Sequence, residues 1–244
     1  DTGLGLVHIR PVVEQLTRLP VDVLNSHTHY DHVGGNAEFD SILALDTVYT
    51  RANMAGTSAE NLITEVAPEA FCKEPPAGTD TAGFHTRPWP ATRFVVDGEV
   101  LDLGGRQVEI LRVPGHTPDA LALFDRANGL LWTGDTYYDG PLWLFVAETD
   151  LDQYEQSVTR LQALLPEVIW LLPSHNVARV NPEKLRAVLP ALAKVRSGEL
   201  TGCKAEWHTL EFEVDGVTIM TAQPILDGVK GDPSKGGYGF TKWP

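Results

Sequence analysis

The stretch His27-Thr28-His29-Tyr30-Asp31-His32 puts four metal-ligand side chains into six residues, directly after the apolar run 21–24. Imidazole nitrogen and carboxylate oxygen are donors that zinc favours. In an extended segment His27 and His29 point the same way, whereas Asp31 and His32 lie past the bend and can face a second ion. One short motif can therefore feed two metals.

Working outward, three more candidates recur in one context: His116 in Val113-Pro114-Gly115-His116-Thr117, Asp135 in Trp132-Thr133-Gly134-Asp135, and His175 in Leu172-Pro173-Ser174-His175. Each follows a short apolar strand. Loops at one end of a sheet converge, so ligands at successive strand ends can meet without being near in sequence. Five of the eight histidines fall in this set, and only His8, His85 and His208 lie outside it. Clusters of this kind are the signature of metal or catalytic sites rather than of ordinary surface histidines.

Apolar spacing around these motifs predicts the elements. Val12, Val13, Leu16 and Leu19 share one helical face behind Pro11, giving a helix over 12–19. Residues 42–45 read as a buried strand and 47–55 as a helix. Over 56–93 Pro68, Pro75, Pro76, Gly78, Gly83, Pro88 and Pro90 break regular structure, which marks an insertion or lid. Its Phe71, Phe84 and Trp89 either line a pocket or pin the loop to the surface. Strands over 93–96, 99–103 and 107–113 are turned by Asp97-Gly98 and Gly104-Gly105, and 121–124 forms a hairpin with 130–133. A helix over 151–165, a strand over 168–172, and a helix over 182–195 with Asn181 as its cap come next. A terminal hairpin about Asp215-Gly216, including Trp207, and a Gly-rich tail occupy 203–244. The whole, 1–244, reads as a single domain.

A net charge of −14 disfavours a nucleic-acid partner, because phosphate binding needs clustered Lys and Arg. A small-molecule substrate is expected instead, and oligomeric state is open. No apolar run reaches the roughly 18–20 residues that span a bilayer, which argues against a membrane partner. Cys72 and Cys203 are the only cysteines and are read as two thiols. The chain opens on Asp1-Thr2-Gly3 without an initiator Met, so an upstream segment is expected to have been removed or left out. The compartment is open between cytoplasm and, if a signal was removed, secretion.

With these motifs the sequence resembles the metallo-β-lactamase superfamily, whose signature is His-x-His-x-Asp-His with later His, Asp and His ligands on separate strands. The resemblance covers essentially the whole chain. It implies an α/β (α+β) fold, a four-layered αβ/βα sandwich with metals at one edge, here expected to lack one or more N-terminal strands. It also implies two Zn2+ per chain: His27, His29 and His116 on the first, Asp31, His32 and His175 on the second, and Asp135 bridging both. True β-lactamases lack that bridging Asp, so glyoxalase II, lactonase and thioesterase branches fit better. Residues 137–142 resemble thioesterase-like members over a short span.

The implied reaction is hydrolysis of an ester, thioester or lactone carbonyl by a metal-bridging hydroxide, since zinc lowers the pKa of bound water to about 7. Asp31 is the implied proton shuttle. Tyr137 and Tyr138, just past Asp135, either donate to a developing oxyanion or pack beside the site. Residues 140–145 add an apolar wall suited to a greasy substrate. Alternatives on the same ligands are β-lactam or phosphoester hydrolysis, an iron-dependent oxygenase similar to sulfur dioxygenases, or a non-catalytic metal-binding protein.

Overall fold

The computed structural model describes residues 1–75, 78–79, 81–205 and 209–235. Trp207, His208, Pro76 and the tail from 236 onward lie outside the described residues. The chain divides into two compact units, Asp1–Val95 and Val96–Pro244.

The first unit is built on a parallel sheet of β1 (Val23–Leu24), β2 (Ile42–Leu45) and β3 (Arg93–Val95), in that order. Parallel strands covered on both faces read as continuous apolar runs, and all four residues of β2 are buried. Val23, Val33, Ile42, Ala44 and Trp89 form the small core. Around the sheet run α1 (Arg10–Leu16), α2 (Tyr30–Val33), α3 (Val48–Asn53) and α4 (Ala59–Leu62). Thr47 caps α3 by accepting the Thr50 N–H at 2.9 Å.

Two sequence expectations change here. The first helix stops at Leu16 and leaves Leu16 and Leu19 at 81% and 76% exposure. Thr17 turns extended and its hydroxyl takes the Leu19 N–H at 3.1 Å, a local bond that competes with another helical turn. The stretch 56–93, expected to be irregular, carries α4 and a 3-10 turn over Pro68–Ala70. Leu62 and Trp89 are both buried within the first unit, so Trp89 pins its loop, whereas Phe71 lines a cleft of about 360 Å³ with Val66, Pro68 and Lys73.

The second unit holds two sheets. One has the order β4 (Val100–Asp102), β5 (Gln107–Arg112), β6 (Leu121–Asp125), β7 (Leu130–Gly134) and β9 (Trp170–Pro173). Its first four strands are an antiparallel meander, and β9 joins β7 in parallel. The other has the order β10 (Cys203–Lys204), β11 (Leu210–Val214), β12 (Val217–Thr221) and β8 (Leu142–Leu144). The β11–β12 hairpin turns at Asp215 and Gly216 with φ of 52° and 81°, the paired positive values of a tight hairpin turn.

The expected hairpin at Asp97-Gly98 does not form: β3 pairs in parallel with β2, and β4 pairs with β5. Strand 93–95 is instead taken by the first sheet, where Leu43, Ala44 and Leu45 face it in register. Gly104-Gly105 does join β4 to β5 as a hairpin.

Helix α5 (Leu151–Leu164) begins at Asp150, whose carboxylate accepts the N–H groups of Asp152 and Gln153. Leu151, Tyr154, Val158 and Leu161 recur at helical spacing and are buried. Asn181 opens a 3-10 segment, Pro182–Ala187, that runs into α6 (Val188–Arg196), where one continuous helix was expected. A short α7 (Gln223–Leu226) follows β12. Both helix faces and both sheets share one core, with Phe124, Leu131, Leu144, Tyr154, Leu161, Leu192 and Ile219. Fully burying one such side chain contributes about 1.5–3 kcal/mol.

Both cysteines are free and exposed. Among the described residues no helix is long and apolar enough to cross a membrane.

Candidate metal centre

In the first unit the ligand cluster leaves β1 through Asn25 and Ser26 and closes on the single turn of α2. His29 caps that turn, and its carbonyl accepts the His32 N–H at 3.0 Å. His29 is extended, at φ −62° and ψ 153°, whereas the chain already bends at Ser26 and His27, and Asp31 and His32 lie in helical rather than loop backbone. Asn25 Nδ2 donates to the His32 carbonyl at 2.7 Å, and Asn25 and Asn36 exchange amide bonds at 2.8 and 3.2 Å. The Thr2 hydroxyl donates to Asn36 Oδ1 at 2.8 Å, and the Thr2 N–H to the His32 carbonyl at 2.8 Å. Behind the turn, Gly34 lies against the Leu4 carbonyl so closely that a Cβ would sit 1.8 Å from its oxygen.

His27, His29 and His32 are buried, and Asp31 is half-buried. His27 Nε2 faces His29 Nδ1 at 2.8 Å, and the His27 and His32 rings lie 4.0 Å apart. The remote nitrogens have anchors: Ser26 Oγ is 3.1 Å from His27 Nδ1, and Asp1 Oδ2 is 3.0 Å from His32 Nδ1. Asp1 is itself held by the Ser26 N–H and hydroxyl. On the other edge of the ring, His32 Nε2 is 3.4 Å from Asp31 Oδ2. An imidazole gripped at one nitrogen presents the other as a ligand of fixed direction.

In the second unit three strand ends deliver the remaining candidates. His116 follows β5, Asp135 follows β7, and His175 follows β9. Asp135 Oδ2 lies 3.1 Å from His175 Nε2 and 3.8 Å from His116 Nε2, so two imidazoles share one carboxylate oxygen. His116 Nδ1–H donates to the Trp143 carbonyl at 2.8 Å, which turns Nε2 toward Asp135. The Trp143 N–H donates to the Tyr138 hydroxyl at 3.2 Å, and the Tyr138 ring stacks edge-on to His175 at 5.4 Å. Asn176, at φ 68°, donates from Nδ2 to the Asp139 carbonyl and ties the His175 turn to the segment after Asp135.

Tyr137 is buried, and that burial, with the Asp139 charge added, pushes its phenol up to about 12. Its carbonyl accepts from the Thr133 hydroxyl at 2.7 Å.

The second cluster is held by the start of α5, which carries none of the candidate ligands. The Asp150 N–H donates to the Gly115 carbonyl at 2.8 Å, Thr149 Oγ1 to the His116 carbonyl at 3.2 Å, and Ser157 Oγ to the Pro114 carbonyl at 2.6 Å. The Tyr154 hydroxyl donates to the Thr136 carbonyl at 2.6 Å. Burial, reinforced by Tyr137 and Asp135, raises the Tyr154 phenol and keeps it a donor. A sequence signal existed: Asp150, Tyr154 and Ser157 are polar groups on the same helical face as Leu161, where only apolar residues are needed for packing.

The donor chemistry of both clusters fits a metal. Ligands sharing a tetrahedral zinc at roughly 2.0–2.1 Å sit about 3.3 Å from one another. The 2.8 Å separation in the first unit and the 3.1 and 3.8 Å separations in the second lie around that value.

Comparison with known proteins agrees with the motifs. Residues 1–175 match the metallo-beta-lactamase superfamily. The acyl-coenzyme A thioesterase MBLAC2 of Homo sapiens is 29% identical over 189 residues, covering 72% of this chain and 67% of that protein. A hydroxyacylglutathione hydrolase of Idiomarina loihiensis is 27% identical over 185 residues, 76% of this chain but 58% of its own length. A solved metallo-beta-lactamase from Pontibacter korlensis superposes with a TM-score of 0.53 at 21% identity, over 79% of this chain and 80% of that one, which shows the fold. The mixed α/β architecture is thus the expected one, and the chain belongs, with these hydrolases, to the metallo-beta-lactamase superfamily.

Proposed function

We propose that this chain is a two-zinc hydrolase of carbonyl esters, with thioesters ahead of simple esters and lactones. His27, His29 and His116 would hold one ion, Asp31, His32 and His175 the other, and Asp135 both. The observation that carries the reading is the Asp135 carboxylate oxygen set between His116 Nε2 and His175 Nε2. The thioester preference is supported by two relatives whose names specify an acyl-coenzyme A and an acylglutathione substrate.

When bound, the ions supply an activated water and a Lewis acid for the carbonyl oxygen. The chain's own residues set the rest. The Trp143 carbonyl and the Asp1 carboxylate hold His116 and His32 by Nδ1 and leave Nε2 facing Asp135 and Asp31 respectively. Asp31, the least buried of the first unit's ligands, takes the proton released as water attacks. The Tyr138 hydroxyl, placed by the Trp143 N–H it accepts and beside the His175 ring, is assigned as the donor to the substrate oxygen. Tyr137, with its phenol raised by burial, is assigned to packing.

The test is elemental mass spectrometry on purified protein together with a hydrolysis screen of acyl-coenzyme A, acylglutathione, lactone, β-lactam and phosphodiester substrates. About two zinc per chain and preferred thioester turnover are expected. Iron in place of zinc, or turnover confined to phosphodiesters, would overturn the reading.

A further inference from the structure

We propose that Tyr154 is a positioning residue that sets the distance between His116 and Asp135. The proposal rests on the two-ion reading of Asp135 given above.

Tyr154 touches both ligand loops at once. Its backbone lies under Gly115, where an added Cβ would come within 2.3 Å of the Tyr154 N and Cα. Its hydroxyl, at the far end of the ring, donates to the carbonyl of Thr136, next to Asp135. A phenol side chain has only two free torsions, so between these contacts it acts as a rigid spacer. Tyr154 is fully buried, and the packing around it fixes both torsions.

The two ends are not equally supported. Three successive carbonyls on the His116 side, Pro114, Gly115 and His116, each accept a separate donor: the Ser157 hydroxyl, the Asp150 N–H and the Thr149 hydroxyl. The Asp135 turn is closed on itself by the Thr136 N–H on the Thr133 carbonyl at 3.1 Å and the Thr133 hydroxyl on the Tyr137 carbonyl at 2.7 Å, and among the described residues of α5 the Tyr154 hydroxyl is what ties it to the helix. Removing that hydroxyl leaves the His116 loop its three bonds to the start of α5 and takes from the Asp135 turn its tie to the same helix, so the turn as a unit can shift against His116. A buried carbonyl would also lose its donor, which adds a drive for the turn to move.

The experiment uses the whole chain loaded with cobalt(II), whose visible bands report ligand geometry, together with zinc affinity by competition against a chelator. Tyr154→Phe should change the cobalt bands and weaken zinc binding about tenfold, the lower end of what outer-shell partners contribute. Leu161→Ala, a cavity in the same helix, should lower stability and leave the bands unmoved. Thr159→Ala on the exposed face should change neither.

Should Tyr154→Phe fail to fold, 3-fluorotyrosine placed at position 154 keeps the bond and alters its strength, and the bands should still shift. Wild-type protein that binds two ions while the Tyr154 variants match it in bands and affinity would overturn this proposal and leave the two-ion reading standing. Wild-type protein that binds fewer than two would overturn both. Equal band shifts in Tyr154→Phe and Leu161→Ala would reduce Tyr154 to a packing residue and overturn the proposal.

Discussion

The two units present their candidate metal ligands in opposite ways. In the first, four candidates lie within six residues, Asp31 and His32 in the single turn of α2 and His29 as its cap, with Asn25 and Thr2 donating to the His32 carbonyl. In the second, three candidates come from strand ends spread over 116–175, and a helix that contributes no ligand holds two of their loops. A contiguous cluster is assembled by adjacency in sequence and needs only bracing, here from Asp1 and Thr2. A dispersed one needs a scaffold, and its sensitive positions lie away from the ligands.

That contrast can be broken or sharpened by substitution. The largest effect is expected from Asp135→Asn, because one oxygen serves two imidazoles. Turnover on the preferred thioester should fall by more than about a hundredfold, beyond what loss of an outer-shell partner does. Retained turnover would remove Asp135 from the centre.

Gly115→Ala comes next. The residue sits at φ 135° with the Tyr154 backbone 2.3 Å from a new Cβ, so both strain and overlap oppose it. A loss of about 3 kcal/mol in urea unfolding is expected. A loss under about 1 kcal/mol would mean the His116 loop is not clamped by α5.

Asn25→Ala should act in the first unit alone. It removes a buried donor from the His32 carbonyl and from Asn36, with an expected cost of about 1–3 kcal/mol. Hydrogen exchange should then quicken at residues 30–36 and stay unchanged at 114–117 and 133–136. Faster exchange at both sets would deny that the first cluster is locally held.

The smallest effect depends on pH. Burial would raise the Asp150 carboxyl, but bonds from Lys230 and Gln153 outweigh it and hold it at about 2. A depressed acid contributes stability that is present above its unfolded value near 3.9 and is lost as pH falls toward 2. Asp150→Ala should therefore be less stable than wild type by about 1–2 kcal/mol at pH 7, through the lost α5 cap and the lost Lys230 pair. The gap should narrow between about pH 4 and pH 2. A gap constant across that range would mean the charge of Asp150 contributes nothing to the start of α5.

The same contrast explains what could be read in the sequence. The cluster at 27–32 was legible because its ligands adjoin, and β2 and the hairpins at Gly104-Gly105 and Asp215-Gly216 were legible because pattern and turn are local. Strand β8 reads in sequence only as part of the apolar wall 140–145, because it is three residues long and its partner β12 lies more than seventy residues away. The fate of 93–95 was misread for a related reason. A strand flanked by Asp97-Gly98 looks locally like half a hairpin, and only the non-local pairing with β2 decides otherwise. The first helix was drawn too long because periodicity does not weigh the side-chain bond by which Thr17 ends it. At the second cluster the candidates His116, Asp135 and His175 are legible from their strand-end context. Of the clamp, the polar face of Asp150, Tyr154 and Ser157 is legible, but which groups it holds is not, since the partners are backbone carbonyls, which sequence does not distinguish.

The most direct test is the metal count of wild-type protein beside Asp135→Asn, both purified in the same zinc-containing buffer and measured by elemental mass spectrometry. A carboxylate shared by two ions predicts about two zinc in the wild type and fewer than about one in the variant. Equal counts in the two proteins would contradict it.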